Sequence, residues 1–222
     1  HGSGYLDHCA EEIRGFLGDG VSRVLFVPFA LADRDGYAAK ARERFRTMGY
    51  GLDSLHQAAD PVAAVEAAEA VFVGGGNTFR LLLALRELGV VEPLRRRVAA
   101  GMPYLGASAG SNVACPTIRT SNDMPIVEPP SFDALGLVAF QINPHYLDPD
   151  PASTHKGETR EQRLREYHEE NELPVVGLRE GAMLRVEGGA VELRGTSGAR
   201  VFRRGREPEE RVPPARLEPL LG

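Results

Sequence analysis

Gly106-Ala107-Ser108-Ala109-Gly110 fits G-x-S-x-G, a pattern in which a strand turns sharply into a helix and lifts a serine hydroxyl above the sheet. The turn strains the serine backbone and brings chain segments close together, so its neighbours must be small. Here every flanking residue is Gly or Ala. The chemistry of such a serine is acyl transfer, which needs a base and a group that orients the base. An ordinary tight turn is the competing reading of the same residues.

Of the histidines, His145 follows Gln141-Ile142-Asn143-Pro144, so it sits just past a strand end, where α/β folds place their sites. His8, His56, His155 and His168 lie among charged residues and read as solvated surface groups, and His1 is terminal. Carboxylates that could orient an imidazole are Asp123, Glu128, Asp133, Asp148 and Glu158. Asp123, in Thr120-Ser121-Asn122-Asp123-Met124-Pro125, reads equally as an Asx-turn, and Glu158 as first-turn helix charge. Gly74-Gly75-Gly76-Asn77-Thr78 follows an apolar run and opens a helix, so its backbone N–H groups are able to hold a phosphate or a developing oxyanion. It has neither the Lys-Ser/Thr ending of a P-loop nor the spacing of a dinucleotide fingerprint, which favours the oxyanion.

These residues need a frame. Arg23 to Phe29 and Ala70 to Val73 are short apolar runs that predict buried parallel strands, with weaker strands at Tyr50 to Leu55 and Met102 to Gly106. Helices are expected at Asp35 to Met48, from Pro61, from Thr78 under an Asn77 cap, at Val91 to Ala100, and after Ser108. The alternation is that of an α/β fold with a doubly wound, mostly parallel sheet. Val175 to Leu178, Met183 to Val186, Val191 to Leu193 and Val201 to Arg203 are short strands between Gly-rich turns, expected as antiparallel additions at the C-terminal sheet edge. With neither repeat nor linker, residues 1–222 read as a single domain.

Composition narrows the function. Lys plus Arg is 26 against 31 for Asp plus Glu, a net charge of −5, which argues against nucleic acid as a partner. An acidic ligand would need a local cluster of cations. The longest apolar run, Val24 to Ala32, is nine residues, well short of the roughly 20 of a membrane helix. The first residues lack the apolar core of a signal peptide. Cys9 and Cys115 form neither a disulfide framework nor a zinc pattern, so the cytoplasm is the expected location and neither metal nor cofactor is called for. His1-Gly2-Ser3-Gly4 is not the buried strand that usually opens such a domain; it reads as a tag remnant or as a sign that the first strand lies before residue 1.

Four blocks in one order carry a resemblance: Val71 to Phe79; Gly106 to Asn112; Cys115 to Val127; and Gln141 to His145 with His155 to Arg163. From about Arg23 to Leu193 the chain resembles the S51 serine peptidases, the peptidase E family of aspartyl dipeptidases. The resemblance implies a fold similar to class I glutamine amidotransferases, with serine where those enzymes carry cysteine. It also implies a first strand ahead of residue 1. Carried over by position, Ser108 is the nucleophile, His145 the base and Asp123 the orienting carboxylate, with Gly76 and Ala109 as the oxyanion hole. Arg160 is implied to grip the substrate's aspartate carboxylate, as a guanidinium does with two parallel hydrogen bonds. Asn77 adds a hydrogen bond, and Glu158 either balances the substrate ammonium or replaces Asp123. The implied partner is a small dipeptide with N-terminal aspartate, and a homodimer is an open state of assembly. An isoaspartyl or cyanophycinase-like peptidase, a non-catalytic binding relative and a glutaminase domain are the alternatives.

Overall fold

A computed structural model describes residues 4–149, 152, 154 and 157–217. The chain divides into two compact units, His1–Ile118 with Asp123–Leu137, and Arg119–Asn122 with Val138–Gly222.

The first unit runs α1 (Ala10–Leu17), β1 (Arg23–Val27), α2 (Arg34–Thr47), β2 (Gly51–Ser54), α3 (Pro61–Ala67), β3 (Ala70–Val73), α4 (Thr78–Glu87), α5 (Val91–Ala99), β4 (Tyr104–Gly106) and α6 (Ala109–Ala114). Its strands pair in parallel in the order β2-β1-β3-β4. β1 ends before Pro28, which has no N–H to give to a ladder. Side chains alternate across the sheet. Leu25, Val27, Val71 and Val73 pack with Leu81, Leu82, Leu85 and Leu94 on one face. Val24, Phe26, Ala70 and Phe72 pack with Ile13, Leu17, Ala41 and Phe45 on the other. Because both faces are covered, the strands read as unbroken apolar runs. Burying each large side chain contributes about 1.5–3 kcal/mol. The order places β2 on one side of β1 and β3 on the other. The loops after β1 and β3 therefore open at the carboxyl ends on either side of this switch in direction, where open α/β sheets bind ligands, with the loop after β4 beside that of β3.

The second unit holds β5 (Gln141–Pro144), α7 (Arg160–Glu170), β6 (Val175–Leu178), β7 (Ala182–Glu187), β8 (Ala190–Gly195), β9 (Ala199–Phe202), β10 (Glu209–Arg211) and β11 (Ala215–Arg216). The strands form two sheets, β10-β9-β6-β5 and β11-β8-β7. The hairpin at Gly188-Gly189 is antiparallel as expected, with both glycines at positive φ, as a tight two-residue hairpin turn requires. One expectation is corrected. Val175 to Leu178 is antiparallel to β9 but parallel to β5, because α7 intervenes and makes β5-α7-β6 a crossover unit.

Two histidines also depart from expectation. His168 is buried, with Nδ1 3.1 Å from the Asn171 carbonyl. His56 lies between Ser54 Oγ at 2.7 Å and Asp35 at 3.0 Å, and it holds the Asp35 carboxyl below the usual range. That serine–histidine–aspartate set ties the end of β2 to the start of α2, and Ser54 has ordinary extended backbone. Among the described residues no helix is long and apolar enough to cross a membrane.

Candidate active site

The first unit builds the serine turn. β4 stops at Gly106, Ala107 N donates to the Val73 carbonyl at 3.0 Å, and Ser108 takes φ 52°, ψ −106° before α6 begins. Non-glycine residues rarely adopt positive φ, and at sites such strain persists only where the surroundings impose it. They do so here. A Cβ on Gly110 would come within 2.2 Å of the Val73 carbonyl oxygen, and one on Gly106 within 2.7 Å of the Gly110 oxygen. The small residues of the motif are thus demanded by contact, as the sequence pattern anticipates.

The glycine loop lies against this turn. A Cβ on Gly75 would meet the Ser108 Cβ at 3.0 Å. Three backbone donors of the loop are taken up: Gly74 N by the Val27 carbonyl at 3.1 Å, Asn77 N by the Ala30 carbonyl at 2.9 Å, and Gly75 N by the Tyr37 hydroxyl at 2.9 Å. Gly76, at φ 134°, is pressed so close to Ala30 that a Cβ would sit 2.6 Å from its oxygen. Among the described residues, the N–H groups of Gly76 and Ala109 enter no hydrogen bond. Two unspent donors flank the serine turn, one on each chain segment, as an oxyanion site requires.

Asp123 and Asn77 work on the same loop. Asp123 Oδ2 accepts from Thr78 N at 2.8 Å and Thr78 Oγ at 2.5 Å, a carboxylate at the positive end of α4. Asn77 caps that helix through Oδ1 to Arg80 N at 3.0 Å and donates Nδ2 to the Met124 carbonyl at 2.8 Å. Its amide is engaged at both ends within the protein.

The second unit carries the imidazole. His145 follows β5 with φ 55°, and its Nδ1 is hydrogen-bonded to the Glu180 carboxylate; both side chains are about half exposed, 52% and 46%. Local sequence pattern does not single out Glu180. The signal that would have found it is strand direction: because β6 runs parallel to β5 with Leu178 opposite Pro144, the residues after both strands emerge at one end. Asn143 Nδ2 reaches the Thr120 carbonyl at 2.9 Å and Asn122 Oδ1 at 2.8 Å, while Asn122 Nδ2 reaches the Pro144 carbonyl at 2.7 Å. Beyond His145, Tyr146 N donates to the Leu178 carbonyl at 3.1 Å. Arg179 grips Asp148 with two bonds of 2.8 Å and Glu210 with bonds of 2.5 and 2.9 Å. These bonds push the Arg179 guanidinium up and hold the Asp148 carboxyl below the usual range.

Arg160 is the first residue of α7, partly buried, behind a Thr159–Gln162 capping box. Glu158 is exposed and pairs with Arg163 at 3.3 Å. His155 and Lys156 lie outside the described residues, as do His1 to Ser3.

A strained serine at a strand-to-helix turn, set against a glycine loop with unspent donors, has the backbone geometry of a nucleophile elbow on an α/β sheet. Comparison with known proteins narrows this. The family model described as Peptidase family S51 matches residues 1–194. "Peptidase E" of Streptomyces coelicolor is 58% identical over 221 residues, covering 100% of this chain and 90% of that protein. The Drosophila melanogaster protein named "Probable alpha-aspartyl dipeptidase" is 48% identical, covering 100% of this chain and 93% of the relative. A crystal structure of a peptidase from an acI-B1 actinobacterium shares the fold, with a TM-score of 0.71 at 18% identity over 95% of this chain and 91% of that one. The chain belongs to peptidase family S51, and it is a peptidase.

Proposed function

We propose that the chain hydrolyses Asp-Xaa dipeptides through an acyl-enzyme on Ser108. The observation that carries this reading is the strained Ser108 turn flanked by the unspent N–H groups of Gly76 and Ala109; the names of the relatives supply the aspartyl dipeptide. Ser108 Oγ attacks the peptide carbonyl as His145 takes its proton. The oxyanion is held by Gly76 and Ala109, each donor worth about 3 kcal/mol of barrier in comparable sites. His145 then protonates the leaving amine, and water, activated by the same imidazole, releases aspartate and frees Ser108. The carboxylate that orients His145 is assigned to Glu180, which touches Nδ1. Asp123, bonded to Thr78, is assigned to anchoring the glycine loop. Arg160 is assigned to the substrate's β-carboxylate, the second Nδ2 hydrogen of Asn77, beyond the one given to Met124, to a further substrate hydrogen bond and Glu158 to the substrate's ammonium. Cys9 and Cys115 are not joined in a disulfide, in keeping with a cytoplasmic setting.

Hydrolysis of Asp-Leu measured against Glu-Leu, Asn-Leu and an isoaspartyl dipeptide tests the reading, with Ser108→Ala as the blank. Selective cleavage of Asp-Leu, abolished in the variant, is expected. Cleavage of the isoaspartyl peptide alone would keep the nucleophile and overturn the substrate assignment.

A further inference from the structure

The oxyanion site depends on a run of three glycines, the most flexible backbone a chain offers. Backbone anchors hold it at both ends, through Gly74 N to Val27 and Asn77 N to Ala30. Between those anchors lie two peptide units, Gly74–Gly75 and Gly75–Gly76, and the second carries the donor assigned to the oxyanion. A third anchor comes from outside the loop: the Tyr37 hydroxyl accepts the Gly75 N–H at 2.9 Å. It leaves one peptide unit free where there would be two.

Several features fit this contact. A Cβ at position 74 would lie 2.6 Å from the Tyr37 oxygen, so only glycine lets the hydroxyl reach past to Gly75. The ring is packed edge-on to Phe26, at 4.9 Å and 88°, and the Tyr5 hydroxyl donates to the Tyr37 oxygen at 3.3 Å. Burial holds the Tyr5 phenol far above its ordinary range, so that donor stays protonated throughout the working pH range. Gly75 in turn stands against Ser108, 3.0 Å from its Cβ when given a Cβ of its own. A hydroxyl set by a packed aromatic pair is thereby connected through one peptide unit to the reacting centre.

We propose that Tyr37 is a positioning residue for the reaction, holding the glycine loop so that the Gly76 N–H faces the developing oxyanion. The inference rests on the proposed acyl transfer at Ser108. A donor that is misaligned loses stabilisation only in the transition state, so the loss falls on kcat and leaves KM alone. Removing an oxyanion donor outright costs about 100-fold or more; loosening one should cost about tenfold.

The test compares wild type, Tyr37→Phe and Tyr5→Phe. For Asp-Leu, Tyr37→Phe is expected to lower kcat about tenfold with KM within about twofold, and Tyr5→Phe to lower it less. An aspartate-derived aldehyde, which forms a tetrahedral adduct on the serine, should bind Tyr37→Phe more weakly by the same factor as the fall in kcat/KM. Affinity for free aspartate should stay at the wild-type value, which a general structural defect would not permit. Equal kcat and aldehyde affinity in wild type and Tyr37→Phe would overturn the assignment, as would a parallel loss of aspartate affinity. If wild type leaves Asp-Leu intact, the substrate reading falls, and the rate at which a fluorophosphonate labels Ser108 decides on Tyr37 separately. Slower labelling of Tyr37→Phe supports the assignment, and equal labelling overturns it.

Discussion

The serine turn and the histidine loop are both held in unusual backbone conformations, but by different forces. Ser108 at φ 52° and Gly76 at φ 134° are fixed mainly by shape: glycines against carbonyl oxygens, a tyrosine hydroxyl and neutral backbone hydrogen bonds, with one carboxylate, Asp123, holding the loop's far end at Thr78. His145 at φ 55° stands half exposed and is steadied by charge, through Glu180 and through Arg179 gripping Asp148 and Glu210. The contrast follows from the two frames. A parallel sheet covered on both faces supplies dry, close packing, and the strands of the second unit end in loops that water reaches. Shape is indifferent to salt and intolerant of one added methyl. Charge tolerates volume and responds to salt and pH.

The most severe way to break the first region is to add that methyl. Gly110→Ala places a Cβ 2.2 Å from the Val73 carbonyl oxygen, a backbone atom of β3 that has no rotamer to yield. A cost of about 3 kcal/mol in stability is expected, with loss of activity, read by denaturant unfolding and Asp-Leu hydrolysis. In the second region Glu180→Ala should cost less than about 1 kcal/mol. Equal losses at the two positions would erase the distinction.

Next in size is the comparison of the two carboxylates. Glu180→Gln keeps its shape but removes the charge at His145 Nδ1, and kcat should fall about 100-fold, less than in a fully buried triad because the pair is half exposed. Its melting temperature should be unchanged. Asp123→Asn weakens the anchor on Thr78 at the start of α4, so its loss of activity should come with a loss of about 0.5–1 kcal/mol of stability. A collapse of kcat in Asp123→Asn at unchanged melting temperature would return the orienting role to Asp123.

The same division governs what could be read from sequence. The serine turn and glycine loop were legible because their geometry is set by neighbours within a few residues: Gly106 and Gly110 around Ser108, Asn77 capping the helix it precedes. The parallel strands were legible as apolar runs. Glu180 was not, because its place beside His145 depends on β6 running parallel to β5 across a crossover, and the short Val175–Leu178 reads like its antiparallel neighbours. Tyr37 was not, because helical pattern marks it as one more amphipathic ring and conceals a hydroxyl aimed at a glycine 38 residues away. His56 and His168 read as surface groups in the sequence for a related cause. Their charged neighbours in sequence face solvent, while the rings turn inward to Ser54 and to the Asn171 carbonyl.

The smallest effect tests the charged region most selectively. Arg179→Met keeps length and removes the guanidinium that ties Asp148, three residues past His145, to Glu210. The pairs are partly exposed, so about 1 kcal/mol of stability is at stake, or roughly 2–4 °C in melting temperature for a chain of this size. A fall in kcat of several-fold should accompany it, since the loop bearing the imidazole loses its brace. Salt near 1 M screens the wild-type pairs and should move its melting temperature and kcat toward those of the variant, which itself changes little. The sign of the pH dependence follows from Asp148, whose carboxyl Arg179 holds below the usual range. A depressed native value contributes stability above the unfolded carboxyl's pKa of about 3.9, and that contribution is lost as pH falls through the native value. The stability gap between wild type and Arg179→Met should therefore be constant from neutral pH down to about 5 and close in acid. Fluorophosphonate labelling of Ser108 at pH 7, which needs the His145 imidazole as base, should slow together with kcat in Arg179→Met and in wild type near 1 M salt. A labelling rate indifferent both to salt and to Arg179→Met would mean that the charged brace does not govern the imidazole.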